Sequence, residues 1–481
     1  MSIPNNNYSI AIIGDGQITT RSGSRPYPTA DILNVTGLAT IALAKADGQR
    51  ALWIAPGSDL ARKATHASFW EMPDIGDAAP GWKIFATGPQ DSIPNAASVR
   101  RNGVSGEARR EVMIYADIDT RWMLADVADG PPWAPTHHKY LDYITTYEQT
   151  MGVQARFTPA STALALLQKL HTDCSSVAYL DPLSRDAYDR IPWPTHHAVK
   201  HANQYVRDGK FVHVFDKRSA YMASAMGEVG RGDPIHWSAY SDPLADDIQK
   251  ETPGLWCISA HVPNAYGMGL IPDISHGALP SPFNSLGDVP DHEWYYTPQV
   301  KLAMMMGYQV QVHEAYIWPK HHRTLRPWVT RLWDARQAVR GTPTEAMIKT
   351  SVNDVWGVMK RPVKAEEKLQ WYHRPDWSGM VTAQHYLRHT RKIMEMEVVY
   401  PGYLATSTDS IAWSSLDPNP MTALPAGWAG KPGQLGEYRH VATYAGDRAQ
   451  TLISMARECQ SGARLYKQMN EWDGDEDGQD D

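Results

Sequence analysis

Two apolar stretches far apart in the chain each carry a single carboxylate. Residues 211–226 read FVHVFDKRSAYMASAM, and the apolar run closes on Asp216. Residues 404–413 read LATSTDSIAW, a second apolar strand that ends on Asp409. A carboxylate at the end of a buried strand is costly unless something pairs with it. Between the two acids lies a helical stretch at residues 349–357, KTSVNDVWG, bearing Lys349 and Asn353. Two strand-borne acids with such a helix between them suggest a divalent-cation site beside a phosphate-binding element.

The segment before that helix supports the phosphate reading. Residues 327–340, PWVTRLWDARQAVR, read as a helix with Pro in its first turn. Arg336 and Arg340 are spaced to share one face of it. Gly341-Thr342-Pro343 breaks the pattern, and a second helix over residues 344–358 presents Lys349 and Asn353 on one face. An antiparallel pair carrying these four side chains would clamp a triphosphate; a solvated amphipathic hairpin is the plainer reading.

In order and spacing the three stretches resemble the three polymerase motifs of the family B DNA polymerases, over roughly the last half of the chain. D-x-x-S-x-Y is matched by Asp216, Ser219 and Tyr221. K-x-x-x-N-x-x-aromatic-G is matched by Lys349, Asn353, Trp356 and Gly357. D-T-D-S is matched as Ser407, Thr408, Asp409 and Ser410. The resemblance implies that Asp216 and Asp409 bridge two Mg²⁺ ions, with Mn²⁺ as an alternative, and that Lys349 assists catalysis. It implies a nucleotide site at Ser219, Tyr221, Arg336, Arg340, Asn353 and Gly357, with Tyr221 excluding a 2′-hydroxyl. Thr408, Arg439 and His440 would touch the primer end. Two positions depart from the family pattern: Ser407 replaces the first acid of D-T-D-S, and Met222 replaces the usual Pro after Tyr221.

The formal net charge of -7 is unexpected for a nucleic-acid protein, and the C-terminal EWDGDEDGQDD accounts for it. Without the seven acids of that tail, the 53 Asp and Glu fall to 46 and equal the 46 Lys and Arg. A neutral body can carry a basic cleft. The tail reads as a disordered, solvated end, or more sharply as a self-competing DNA mimic or a partner hook. The three cysteines have neither metal spacing nor a disulfide framework, which points to a reducing cytoplasm. The start MSIPNNNYS lacks the features of a signal peptide, and no apolar run of about 18 residues exists to span a membrane. The His pairs at His137-His138, His196-His197 and His321-His322 are poor zinc sites, because adjacent side chains diverge.

The expected fold is α+β: an N-terminal α/β domain, related at most to a degenerate RNase H-like fold, then a right-hand polymerase palm with helical fingers and a minimal thumb. The boundaries are residues 1–130 (N-terminal domain), 131–205 (helical linker), 206–326 (first part of the palm), 327–362 (fingers), 363–455 (second part of the palm), 456–470 (thumb helix) and 471–481 (disordered acidic tail). Within them, residues 294–306 read as a helix, 184–209 as a polar connection, and 446–468 as one helix. Asp117 and Asp119, in ADIDT, could pose as the first acids of a proofreading exonuclease, but no convincing partners follow, and a surface hairpin is expected.

The function expected is template-directed DNA synthesis without proofreading, for a phage, plasmid or integrative element. Primer-template DNA, dNTPs and a priming or processivity protein are the implied partners, with no membrane. The first alternative is a catalytically weak, polymerase-like DNA-binding protein of replication or regulation. The second is a metal-dependent nuclease using Asp117 and Asp119.

Overall fold

The computed structural model describes residues 10–27, 32, 34–45, 51–55, 58–71, 81–87, 96–101, 111–115, 137–156, 158–173, 180–191, 200–238, 244–261, 279–283, 289–422, 424, 427–458 and 461–476. The chain divides into two compact units, residues 1–173 with 330–356 and residues 174–329 with 357–481.

The first unit opens with β1 (Ile10–Gly14), β2 (Gln17–Thr20), β3 (Gly23–Pro26), α1 (Val35–Lys45), β4 (Ala51–Ile54) and α2 (Asp59–Ala64). It continues with β5 (Trp82–Thr87), β6 (Ala96–Arg101), β7 (Glu111–Tyr115), α3 (His137–Met151) and α4 (Pro159–Asp173). The strands form one mixed sheet in the order β3-β2-β1-β4-β7-β6-β5, with β1 and β7 parallel to β4. The wholly buried run IAIIG suits β1, because a parallel strand is covered on both faces. Leu38, Leu52, Ile54, Phe69 and Ile114 pack with it in the core. Arg21 after β2 pairs with the buried Glu148 of α3, which also accepts from the Ala155 amide at 2.9 Å.

The second unit carries α5 (Arg185–Arg190), β8 (Lys200–Ala202), β9 (Phe211–Lys217), α6 (Ala220–Ser224), β10 (Val229–Gly230), β11 (Ile235–Ser238) and α7 (Leu244–Gln249). Next come β12 (Gly254–His261), β13 (Val289–Tyr296), α8 (Thr297–Met305), β14 (Gln309–Ile317) and β15 (His321–His322). The chain then enters α9 (Arg326–Ala338) and α10 (Pro343–Met359), most of which belong to the first unit. There Tyr147 of α3 hydrogen-bonds Ser351 of α10 at 2.7 Å, and Arg331 of α9 donates to the Thr150 carbonyl at 2.6 Å. Back in the second unit follow α11 (Pro375–Val399), β16 (Tyr403–Ser407), β17 (Ser410–Ser415), β18 (Tyr438–Ala445), α12 (Gly446–Glu458) and α13 (Gly462–Glu476).

The five-stranded sheet of this unit, in the order β18-β9-β17-β16-β8, positions the site. Side chains alternate along β9, so its two faces enter different cores. Val212 and Val214 pack with Leu452 and Ile453 of α12 and Leu465 and Met469 of α13. Phe215 packs with Leu387, Ile393 and Met396 of α11 on the other face. Two glycines permit close approach. A Cβ on Gly379 of α11 would lie 2.0 Å from the Tyr296 ring, and one on Gly462 would lie 2.3 Å from the Thr406 carbonyl oxygen of β16. Of the six remaining strands, β10 pairs with β15, and the other four form a separate sheet, β11-β14-β12-β13, packed through Trp256, Ile258 and Tyr295 onto Val300 and Ala303 of α8.

Several local expectations are corrected. Residues 404–413 are not one strand but the hairpin β16–β17, with Thr408 and Asp409 in its turn. Small polar residues at the turn break an apolar run that composition alone shows as continuous. Residues 294–306 divide at Tyr296, where β13 passes into α8 with Pro298 in its first turn. The connection over residues 184–209 contains α5, and its β8 pairs with β16 at the edge of the five-stranded sheet. Residues 446–468 hold two helices rather than one, and α13 runs through residues 471–476 of the acidic tail, which are therefore helical. Its apolar face, Leu465 and Met469, packs on the sheet and carries the acids with it. Asp117, Asp119, His196, His197, the domain boundary at residues 130 and 131 and residues 477–481 lie outside the described residues.

Candidate active site

Asp216 stands near the end of β9 between two partner strands, opposite Ser410 of β17 and Arg439 of β18. Ser410 Oγ donates to its Oδ1 at 3.1 Å, and Arg439 Nη2 donates to its Oδ2 at 3.2 Å. The arginine is 57% exposed and the aspartate 23%, so water screens much of this pair. The next residue of β9 ties in the second acid: the Lys217 amide donates to the Asp409 carbonyl at 3.0 Å. The end of β9 and the β16–β17 turn are thereby joined backbone to backbone, and the two sequence-predicted acids come together.

Two left-handed residues shape the site. Thr408, before Asp409, has φ 58°, and Ser219, which starts α6, has φ 50°. Such backbone is unfavourable for a residue with a Cβ and persists where the surroundings over-determine it. At Thr408 the cause is visible. His385 of α11, nearly buried, donates from Nε2 to the Thr408 carbonyl at 3.0 Å. Burial, with Lys217 and Arg388 nearby, pushes the His385 imidazole down to about 3, so the ring is neutral and keeps its Nε2 proton.

One turn along α11, His389 continues this layer. Thr406 Oγ1 donates to the Ser410 carbonyl at 2.7 Å, so it accepts from His389 Nε2–H at 2.7 Å. His389 Nδ1 is then left to accept the Tyr438 hydroxyl at 2.7 Å. Burial first, then His385 and Lys217, holds His389 far below its ordinary range and so neutral. Tyr438 is raised by burial and then by Asp409 and Asp216. Tyr221, half-buried on α6, lies with its ring 5.3 Å from that of His385 and is raised by burial and by Asp409. Lys217 is 5% exposed, and burial pushes its ammonium down to about 8, with Arg388 adding and Asp409 opposing.

The helix pair is as predicted in outline and different in detail. Lys349, Asn353 and Gly357 form an exposed stripe along α10, and nothing lies within 4 Å of a Cβ built on Gly357. Arg336 is engaged inside the pair, its Nε donating to Glu345 Oε1 at 2.9 Å. Glu345 also accepts the Gly341 amide at 2.8 Å. Burial raises its carboxyl, but the bonds from Gly341 and Arg336 and the nearby Arg340 bring it below its usual range. Arg340 lies two residues beyond the end of α9, so Arg336 and Arg340 do not share a helical face as expected. His440 is exposed on β18 and bonds Thr443 at 2.8 Å through Nε2, with its ring edge-on to Phe215.

Sequence reasoning missed Lys217, His385, His389, Arg388 and Tyr438 as neighbours of the two acids. The only available signal was the spacing of His385, Arg388, His389 and Lys392 on one side of a long helix. Among the described residues there is no group of three or more His, Cys, Asp or Glu able to hold a metal. The oxygen donors at this site are the two carboxylates, with Ser407 where the motif has a third.

No protein-family model matches the chain, and no curated protein sequence matches it. Solved structures do. Phi29 DNA polymerase complexed with single-stranded DNA is similar at TM-score 0.58 and 14% identity, over 89% of this chain and 81% of that one. The ternary complex of Phi29 DNA polymerase with primer-template DNA and incoming nucleotides gives 0.59 and 13%, over 89% and 82%. Its post-translocation binary complex with primer-template DNA gives 0.58 and 12%, over 91% and 84%. At such identity the likeness is one of fold, and over most of its length this chain has a mixed α+β fold of the Phi29 DNA polymerase type.

Proposed function

We propose that this protein is a template-directed DNA polymerase that adds deoxynucleotides to a primer, without proofreading. The observation that carries the reading is the junction of Asp216 and Asp409 at adjoining strand ends, in a fold of the Phi29 polymerase type. In this reading the five-stranded sheet is the palm, α9 and α10 are the fingers, and primer-template DNA and dNTPs are the substrates. A phage, plasmid or integrative element and a cytoplasmic setting remain the proposed context, with a priming or processivity protein as partner. The first unit's sheet is read as the degenerate exonuclease-like domain.

The donor set fits Mg²⁺, a hard cation that takes one or two carboxylates and fills its remaining positions with water and substrate phosphate. Asp216 and Asp409 would hold it; bound there, divalent ions would activate the primer hydroxyl and neutralise the triphosphate. The chain's own residues position the substrates. The amides of Lys217 and Arg218 are taken by the Asp409 and Glu437 carbonyls, so the left-handed turn at Ser219 and the start of α6 would meet the phosphates. By the resemblance, Lys349 and Arg340 would neutralise them and Lys349 would protonate the pyrophosphate leaving group; Arg336 holds the helix pair together. Asn353 and the bare Gly357 allow close approach to the nascent base pair. Tyr221 stacks under the sugar and excludes a 2′-hydroxyl, while Thr408, Arg439 and His440 meet the primer end.

Primer extension with purified protein, dNTPs and Mg²⁺ or Mn²⁺, beside Asp409→Ala and a lane lacking primer, tests this. Extension lost in the variant supports the enzyme, and product in the primerless lane adds priming. A second reading, a DNA-binding protein of weak activity, draws on the Arg439–Asp216 ion pair and on Ser407 in place of an acid. DNA binding without extension in either metal would favour it.

A further inference from the structure

A cavity of about 490 Å³ in the second unit lies on the face of β9 opposite Asp216. Lys217 alternates with Asp216 and shares the α11 face with Phe215, so the two side chains serve different sides of the sheet. Lys217, Arg388, Arg391 and Lys392 line this cavity, with Glu395 as its acid. Glu395 pairs with Lys392 at 2.8 Å. That leaves Lys217, Arg388 and Arg391 without a carboxylate on the cavity wall, with the field of Glu251 reaching Arg388 from outside it. Arg388 is oriented by the Ala223 carbonyl, 2.9 Å from its Nη1, and Arg391 is exposed.

Lys217 decides between a solvated basic face and a built site. It is 5% exposed, yet among the described residues its ammonium makes no hydrogen bond and no ion pair. Its favourable neighbours are the Tyr438 ring, 5.6 Å away, and the field of Asp409. An ammonium on so little exposed a side chain, without a partner, is costly, and its cationic neighbours Arg388 and Lys392 raise the cost further. An anion in the cavity offsets both.

We propose that this cavity binds a phosphate group, with Lys217 and Arg388 at its floor and Arg391 and Lys392 at its mouth. The arginine forks and the lysine ammonium are the donors that phosphate oxygens take. Two sources share this chemistry, a free phosphoanion such as pyrophosphate and the backbone of a nucleic acid. The site does not depend on the polymerase reading, since it lies on the other face of the sheet and needs no catalysis.

Two titrations of the full chain, both in EDTA so that no divalent ion holds phosphate at the carboxylates, test it. Calorimetry reads inorganic pyrophosphate, and fluorescence anisotropy reads a labelled duplex oligonucleotide. Wild type is compared with Lys217→Met and Arg391→Gln; the second changes an exposed side chain and leaves folding aside. Loss of a charge-assisted phosphate contact weakens affinity about tenfold. A loss of that size in both variants for pyrophosphate identifies a free phosphoanion, and one confined to the duplex identifies backbone phosphate. No pyrophosphate binding by the wild type, together with duplex affinity unchanged in both variants, overturns the proposal and leaves Lys217 as a counter-charge to Asp409. Activity plays no part in either readout, so a failed primer extension would leave this result standing.

Discussion

The amide of Lys217 donates to the carbonyl of Asp409 across 3.0 Å, joining the end of β9 to the turn between β16 and β17. This bond places the acid of the third motif beside the acid of the first. It fixes the backbone that carries both carboxylates, so their placement does not rest on long, exposed side chains.

Replacing either acid tests the proposed chemistry. Asp409→Ala is expected to lower primer extension by at least about a hundredfold, the scale on which lost electrostatic stabilisation is felt at a transition state. Circular dichroism of the variant should match the wild type, because the backbone bond to Lys217 does not use the carboxylate.

Arg439 occupies one oxygen of Asp216. A cation at Asp216 has to compete with it. Arg439→Gln is expected to lower the Mg²⁺ concentration for half-maximal extension by about two- to fivefold, in keeping with the modest strength of an exposed ion pair. A rise instead would assign Arg439 to DNA contact alone.

His385 supports the left-handed Thr408 from below. His385→Ala removes a buried ring and leaves the half-buried Thr408 carbonyl without its donor, and a stability loss of about 1–3 kcal/mol is expected in chemical denaturation. Extension should fall with it, because the turn that carries Asp409 loses its support.

The same histidine makes stability depend on pH. Its folded value, about 3, lies below the ordinary 6.5, so the unfolded chain binds the extra proton first as pH falls. The stabilisation is complete above pH 6.5 and is lost progressively below it. Between pH 6.5 and 5 the loss from His385 is about 2 kcal/mol. Thermal melts across that range should show the slope, and His385→Asn should reduce it by the share of His385, leaving that of His389.

Gly379 marks where α11 meets β13. A methyl there would stand 2.0 Å from the Tyr296 ring, whose hydroxyl donates to the Pro375 carbonyl at 3.2 Å. Gly379→Ala is expected to cost about 1–3 kcal/mol by overpacking, despite the better helix propensity of alanine. A melt equal to the wild type would show that the ring has room to move.

The sequence by itself determined the local elements and the residues that carry the chemistry. β9 ends on Asp216 because an apolar run stops there, and α10 exposes Lys349, Asn353 and Gly357 because that spacing follows the helical turn. Tertiary structure alone decided what meets what. The pairing of Asp216 with Ser410 and Arg439 joins strands from opposite ends of the second unit's chain. Small polar residues mark the turn at Thr408, but its left-handed backbone is held by a histidine on another element, which no local pattern shows. The acids of residues 471–476 read as a solvated tail, since charge density is a local property. They are helical because Leu465 and Met469, earlier in the same helix, find an apolar sheet face to cover.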